Sequence, residues 1–306
     1  MDMKKEVERY LGFCKYRKRL SQNTLKAYGI DLKQFLGCVG EAVFQRAEIE
    51  DYITSLHKKY KQKTVKRKIA SVKAFYRYLD ETERLDGPNP FNKIHVKFRE
   101  SEILPRIIPR NEIERLLDHM YAEIKIKGGS KRSTIYRDLA VIELFFATGA
   151  RVYEISNLKR QDIDLECGIV KLMGKGGKER YVQIGNPDVL RLMGQYYAFD
   201  RERIEDSGFF FLNRLGTRFT EQSIRKMIRK NTLLAKNAVQ ITPHMFRHSV
   251  ATYLLEEGVD ITYIQRLLGH SSIRTTQIYL HVASKRQMEI LREKHPRNKM
   301  RVGKAA

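Results

Sequence analysis

The chain has 306 residues, which suits two domains and is short for three domains of ordinary size. It carries 59 Lys and Arg residues against 36 Asp and Glu residues, a formal net charge of +23, while 42% of its residues are hydrophobic. This composition excludes a disordered basic tail. It predicts a folded protein that binds a polyanion, with nucleic acid favoured over an anionic membrane surface.

The cysteines and the apolar segments argue against several other classes of protein. Cys14, Cys38 and Cys167 are far apart and form no CxxC pair, which argues against a disulfide framework and against a structural zinc site. The N-terminal charges are followed by no apolar signal segment, and no run of about 18 apolar residues predicts a membrane span. We therefore expect a cytoplasmic protein without a membrane partner.

The N-terminal region has helical periodicity, with Ser21 as the expected N-cap of one helix. It ends at a stretch whose prolines disfavour continuous helix, and these prolines are Pro88, Pro90, Pro105 and Pro109. The predicted division is a helical domain, a linker and a second domain, over residues 1–90, 91–109 and 110–306 respectively.

One helix of this region combines an apolar face, from Val65 to Leu79, with a stripe of basic residues. The stripe follows the same steps of four and three, displaced by about 100° around the helix. Its members are Lys59, Lys63, Lys66, Lys73 and Arg77. Because like charges at i,i+4 repel, a solvated helix face usually mixes both signs. The stripe therefore predicts a DNA-binding surface that follows phosphates, and a merely solvated face is the alternative.

The second domain mixes helices with short strands. A buried helix is predicted over residues 133–148, ending at Gly149, and another helix is expected to have Asn111 as its N-cap. Residues 168–173 and 180–184 are predicted to be the two strands of a hairpin, because turn residues join two short β-type runs. The aromatic run at 209–212 is predicted to be a third strand.

Four segments of this domain carry candidate functional residues, and each has an ordinary structural interpretation when taken alone. Arg151 follows a helix end, and Lys175 lies in a glycine-rich hairpin turn that does not match a phosphate-binding P-loop. His244 and Arg247 share one face of a helix that begins with Thr242 and Pro243. The free N–H groups and the dipole at such a helix start favour an anion. The fourth segment contains His270 and Tyr279, after a helix that ends at Gly269.

His244 and His248 also have the i,i+4 spacing of metal ligands. The glutamate of an HExxH motif is missing, and no cysteine is nearby in the sequence. A metal site, and with it a metal-dependent nuclease, is therefore the weaker interpretation.

Taken together in this order and spacing, the four segments resemble the tyrosine recombinase family, also called the phage integrase family. The stretches 242–249 and 267–281 are similar to those of bacterial Xer-type recombinases, and the resemblance covers nearly the whole chain. It implies an all-α, SAM-like core-binding domain followed by an α+β catalytic domain with a small antiparallel sheet, the DNA breaking-rejoining fold. It also implies site-specific cutting and rejoining of duplex DNA.

By this resemblance, six residues match the catalytic positions of the family: Arg151, Lys175, His244, Arg247, His270 and Tyr279. Tyr279 would be the nucleophile of a covalent 3′-phosphotyrosine intermediate on the way to a Holliday junction. The scheme requires no metal and no other cofactor. Lys175 is the least direct match, because Lys178 lies on the same turn.

The resemblance also implies partners. These are double-stranded DNA with paired recombination half-sites and a homo- or hetero-tetramer on that DNA, in which a C-terminal helix at about 284–291 is exchanged between subunits. Chromosome dimer resolution, integration of a mobile element and DNA inversion all stay open. A non-catalytic basic DNA-binding protein is the alternative, and it leaves Arg151, His270 and Tyr279 unexplained.

Overall fold

The computed structural model describes residues 2–40, 45–85, 87–94, 96, 98, 105–126, 132–174 and 177–269. The chain divides into two compact units, Met1–Glu102 and Ile103–Ala306, and each has its own hydrophobic core. The boundary between the two units lies within the stretch predicted to be a linker. Among the helices that the structure describes, none combines the length and the hydrophobicity needed to cross a bilayer.

The N-terminal unit is helical over its described residues. Its helices are α1 (Met3–Tyr16), α2 (Gln22–Val39), α3 (Arg46–Lys59) and α4 (Gln62–Glu81), followed by a 3-10 turn at Pro90–Lys93. Ser21 caps α2 as predicted, because its side chain accepts the backbone N–H of Thr24. Tyr10, Phe35 and Phe75 are among the fully buried side chains of the core between these helices.

A buried carboxylate joins α2 to α4. Asp31 is fully buried, and it accepts hydrogen bonds from Lys68 at 3.0 Å, from Ser71 at 2.9 Å and from Arg67. Lys68 also donates to Gln34 at 2.5 Å. Lys68 therefore belongs to the core, although the sequence around it is densely basic. Because a buried charge without a partner is costly, separating α2 from α4 at this point would be strongly unfavourable.

The predicted basic stripe lies at the surface but spans two helices. Four of its members are exposed on α4, namely Lys63, Lys66, Lys73 and Arg77. Lys59, also exposed, is instead the last residue of α3. The prediction of one continuous helix was wrong here, because Tyr60 is extended and only partly exposed. Its hydroxyl accepts a hydrogen bond from Gln34 at 2.9 Å, which holds the ring toward α2.

The described part of the C-terminal unit combines helices with one antiparallel sheet. Its helices are α5 (Arg110–Ile126), α6 (Arg132–Thr148), α7 (Val152–Ser156), α8 (Pro187–Ser207), α9 (Glu221–Leu234), α10 (Pro243–Glu256) and α11 (Ile261–Leu268). Its strands are β1 (Ile163–Asp164), β2 (Ile169–Met173) and β3 (Glu179–Gln183), paired in the order β1-β2-β3. The predicted fold class, an all-α domain and an α+β domain with a small antiparallel sheet, is confirmed.

The third strand of the sheet is β1, and not the predicted strand at 209–212. The predicted hairpin is confirmed, with Val170 opposite Val182. Within the described part of the chain, the run at 209–212 makes only isolated bridges, from Phe209 to Lys159 and from Leu212 to Arg218. The prediction of a strand there was wrong, because this apolar run fills the core with its side chains and pairs with no described strand in a continuous ladder. Helix α5 begins at Arg110, so Asn111 lies inside its first turn and is not its N-cap.

Replacing Asp31 by alanine should destabilise the N-terminal unit by about 3 kcal/mol, because it leaves Lys68 buried without its counterion. Hydrogen exchange of the α2 and α4 amides in the full chain would measure the loss. The matched control is Glu81→Ala, which removes the exposed pair between Arg77 and Glu81. It should cost about 0–1 kcal/mol. Equal effects of the two substitutions would contradict the assignment of Asp31 to a core cluster.

Candidate active site

Three arginines from different elements converge on the C-terminal end of α11. They are Arg151, Arg180 and Arg247, and their acceptors are the carbonyl groups of Gly269, Leu267 and Leu268, at 3.4, 2.8 and 2.6 Å respectively. The last carbonyl groups of a helix have no intrahelical partners and carry a partial negative charge, so they stabilise cations. We call Arg151, Arg180 and Arg247 the arginine cluster.

Each arginine is held by an element whose position follows from local sequence. Arg247 lies in the second turn of α10, which begins with Thr242 as the N-cap and Pro243 at N1, as predicted. It is 4% exposed and also donates to the carbonyl of Gly149 at 2.9 Å. The side chain of Arg151, in contrast, is 34% exposed, so it remains accessible to a ligand.

Gly149 is required for the close approach of α6 to α11. Its φ of +59° lies in the left-handed region that favours glycine. A Cβ atom at this position would lie 2.6 Å from the Cδ2 atom of Leu268 and 3.5 Å from the Cγ1 atom of Val250. The predicted helix end at Gly149 is thus confirmed, and the turn brings Arg151, two residues further on, toward α11.

A buried carboxylate binds two members of the arginine cluster. Glu154 is 2% exposed and receives two hydrogen bonds from the Arg180 guanidinium, at 2.7 and 2.8 Å. It also accepts the backbone N–H of Arg151 at 2.7 Å and the Arg151 guanidinium at 2.9 Å. Burial by itself raises the pKa of Glu154, but these hydrogen bonds and positive charges lower it below its ordinary value. Glu154 is therefore ionised at neutral pH.

His244 lies in the first turn of α10, three residues before Arg247. Loss of surrounding water lowers the pKa of the imidazole below its ordinary value, and the positive charges of Arg225, Arg247 and Arg151 lower it further. At neutral pH the ring is therefore uncharged, so one nitrogen can donate a proton and the other can accept one. The pKa of His248 is lowered as well, first by burial. Over the described ranges, no three His, Cys, Asp or Glu side chains are placed to hold a metal ion.

The structure brings together three of the six sequence-predicted catalytic residues: Arg151, His244 and Arg247. The other three, Lys175, His270 and Tyr279, lie outside the described residues, as does the predicted helix at 284–291. The residues that directly precede His270 and Lys175 in the sequence do lie at the site. Gly269, which precedes His270, accepts from Arg151, and a Cβ atom on Gly174 would lie 3.7 Å from a carboxylate oxygen of Glu154.

Sequence reasoning missed Arg180 and Glu154 as members of the site. The sequence contained a signal for each of them. Arg180 lies two residues before the buried Val182 on β3, and therefore on the same face of the strand, where an apolar residue is usual. Glu154 lies three residues after Arg151 at a helix start, which is the spacing of a carboxylate that accepts an N-terminal N–H group.

Comparison with known proteins agrees with this architecture. The model of the phage integrase family matches residues 106–286, and that of the phage integrase N-terminal SAM-like domain matches residues 7–82. A tyrosine recombinase of Agathobacter rectalis is 44% identical over 300 residues, which are 97% of this chain and 98% of that protein. Tyrosine recombinase XerC of Leptospira interrogans is 35% identical, over 95% of this chain and 93% of its own.

Solved structures share the fold. The XerH site-specific recombinase, bound to its palindromic difH substrate, matches with a TM-score of 0.73 and 22% identity, over 92% of this chain and 83% of that one. Lambda integrase, as a tetramer bound to a Holliday junction, matches with a TM-score of 0.65 and 16% identity, over 88% of this chain and 77% of that one.

The chain belongs to the phage integrase family. More particularly, it is a site-specific tyrosine recombinase, an enzyme that transfers DNA strands. The comparisons give no support to the alternative of a non-catalytic DNA-binding protein.

Replacing Gly149 by alanine should destabilise the C-terminal unit by about 2 kcal/mol, through the left-handed φ and the contact with Leu268. The matched control is Gly194→Ala on α8, where φ is not left-handed and a Cβ atom meets nothing within 4 Å. There the substitution should be neutral or stabilise the helix by up to about 1 kcal/mol. Thermal unfolding of the two variants gives the comparison, and the prediction is wrong if Gly149→Ala is as stable as the control.

Proposed function

We propose that this chain exchanges DNA strands through a covalent 3′-phosphotyrosine on Tyr279, with the arginine cluster as part of the phosphate-binding site. The observation that supports this proposal best is the convergence of Arg151 and Arg247, from two separate elements, on adjacent carbonyl groups of α11. Glu154 neutralises only part of the positive charge of the arginine cluster, because one carboxylate faces two of its guanidinium groups and Arg247 adds a third. In the proposal, a DNA phosphodiester binds to the remaining positive charge.

Arg151 and Arg247 have the roles of phosphate clamps in this proposal. A guanidinium group matches two oxygen atoms of a phosphate with parallel hydrogen bonds. In the pentavalent transition state, negative charge grows on the two non-bridging oxygens, and fixed cations then stabilise it more than in the ground state. No metal ion is needed in the scheme, because the arginines provide the charge that metal ions provide in other phosphoryl-transfer enzymes.

The remaining predicted residues move protons. The phenol oxygen of Tyr279 attacks the scissile phosphorus, its proton passes to a neighbouring base, and the P–O5′ bond breaks. His244, neutral at pH 7, is suited to accept or relay that proton, with His270 as a second hydrogen-bonding group. Lys175 is assigned as the acid that protonates the 5′ oxygen as it leaves. Attack by the 5′-hydroxyl of the partner strand reverses these steps and releases Tyr279.

The N-terminal unit supplies a second DNA contact in the proposal. Its exposed basic stripe, on α4 and at the end of α3, is the DNA-binding surface that the sequence predicts. Lys68 is not part of that surface, because Asp31 binds it inside the core, whereas the four members of the stripe on α4 are exposed. The domain limits of the proposal are those predicted from the sequence: residues 1–90, the linker 91–109 and residues 110–306.

The assembly is proposed to be a homo- or hetero-tetramer on two paired recombination half-sites. The lambda integrase structure, a tetramer bound to a Holliday junction, shares this fold and is the model for that arrangement. The helix at about 284–291 is assigned to exchange between subunits, and the protein is placed in the cytoplasm. The relatives named XerC and XerD favour a Xer-like role, chromosome dimer resolution, over integration or inversion of a mobile element.

A nicked suicide substrate tests the covalent step, because departure of the short 5′ fragment prevents religation and traps the adduct. The chain should form a covalent protein–DNA complex that resists denaturation by detergent. Tyr279→Phe lacks the attacking oxygen and should form none while still binding DNA. The exposed Tyr181→Phe is the matched control and should trap DNA like the original chain. Undiminished trapping by Tyr279→Phe would refute the proposal.

The salt dependence of DNA binding tests the basic stripe. Replacing Lys63, Lys66 and Lys73 by glutamine should reduce the slope of log affinity against log salt by about 0.9 for each DNA phosphate that these lysines neutralise. Removing the same number of charges from α1, at Lys4, Lys5 and Lys15, is the control. Both triple variants are measured by fluorescence anisotropy between low and moderate salt. Equal slopes for the two variants would show that the stripe is only a solvated face.

A further inference from the structure

Arg180 is outside the six predicted catalytic positions, yet it is the residue most tightly bound to the carboxylate that Arg151 also contacts. Both of its terminal nitrogens donate to Glu154, and its Nε donates to the carbonyl of Leu267. Only 11% of its side chain is exposed. Such a residue cannot bind solvent or DNA freely, so its effect on the site is exerted through its neighbours.

The charges of Glu154, Arg151 and Arg180 explain how Arg180 acts on the site. Glu154 contributes one negative charge, and Arg151 and Arg180 contribute one positive charge each, so one positive charge remains for a ligand. Without Arg180, the buried carboxylate would have Arg151 as its nearest cation, and that pair would be neutral. Since interactions are strong in a site shielded from water, an arginine already neutralised by a buried acid binds a phosphate much less well.

The same side chain also fixes the end of α11. Its Cδ atom lies 3.0 Å from the position that a Cβ atom would take on Gly269, so the two residues are in close contact there. Arg180 thereby fastens β3 to the carbonyl groups that also receive Arg247 and Arg151. Lysine could replace its charge but not the fork of two parallel bonds to Glu154.

We propose that Arg180 is a positioning residue for strand cleavage: it binds Glu154 and so leaves the charge of Arg151 available to the scissile phosphate. This inference rests on the proposed function. Arg180 itself touches no reacting atom. Its role is to keep the carboxylate neutralised and the end of α11 in place.

The first measurement is the rate of covalent complex formation at saturating DNA, with the nicked substrate. Arg180→Met should lower this rate by about 10²-fold, as expected for the removal of one fixed charge from the transition state, while the dissociation constant for DNA changes by less than about threefold. The rate of Arg180→Lys should lie between those of the original chain and Arg180→Met, since lysine keeps the charge but not the two parallel hydrogen bonds to Glu154. The double variant Glu154→Gln with Arg180→Met removes both charges and should react at least about tenfold faster than Arg180→Met alone.

A substrate with a neutral methylphosphonate at the scissile position separates this role from a merely structural one. Removing the charge of one non-bridging oxygen lessens the need for cationic stabilisation. The ratio of the original rate to the Arg180→Met rate should therefore fall at least about tenfold on this substrate. A damaged fold would lower both rates alike and leave the ratio unchanged.

Arg137→Met is the matched control. Arg137 is another buried arginine of the same unit, and it donates to the carbonyl of Leu212 and to Asp138, both at 2.9 Å. Its replacement should lower stability but not change the ratio between the two substrates.

The outcomes are distinguishable from a failure of the proposed function. If the original chain forms no adduct, the proposed function fails. If the original chain forms the adduct and Arg180→Met forms it at the same rate, only the role of Arg180 is overturned. The same conclusion follows if the ratio of the two rates on the neutral substrate equals the ratio on the charged substrate. Should Arg180→Met fail to fold, the rate of Arg180→Lys relative to the original chain, measured on both substrates, provides the comparison.

Discussion

A helix end leaves carbonyl groups without partners, and α11 takes its missing partners from three arginines. These arginines come from β3, from the start of α7 and from α10, so the sheet, a short helix and a core helix meet at one point. Glu154 links two of them. If the cluster binds the scissile phosphate as proposed, the cations are arranged before the phosphate arrives, and little reorganisation is required at the moment of reaction.

The parts of this arrangement that depend on local chemistry were predictable. Thr242 and Pro243 start α10, Gly149 and Gly269 end α6 and α11, and two short β-type runs form the hairpin. Each of these outcomes follows from the backbone preferences of a few adjacent residues. The convergence of Arg151, His244 and Arg247 could be expected only from the resemblance to a family, because the three residues come from distant parts of the chain.

The parts that sequence reasoning missed depend on tertiary partners. Arg180 and Lys68 stand in charged surroundings that indicate a surface, and both are largely buried because Glu154 and Asp31 bind them from other elements. The run at 209–212 was predicted to be a strand because apolar aromatic residues favour both strands and buried loops. A pattern of hydrophobicity reports burial, but it contains no information on which backbone groups pair.

Arg180 and Arg247 bind backbone oxygens of α11, and Arg151 binds the backbone oxygen of Gly269, directly after it; all three contacts are to main-chain atoms. Their geometry therefore depends on the path of the helix and on the turn at Gly269, and not on the identity of the residues that α11 displays. Exposed positions such as Tyr263 and Arg266 can accumulate substitutions during evolution without moving the cations. Descendants of this chain can thus change the surface of α11 while inheriting the same charge geometry.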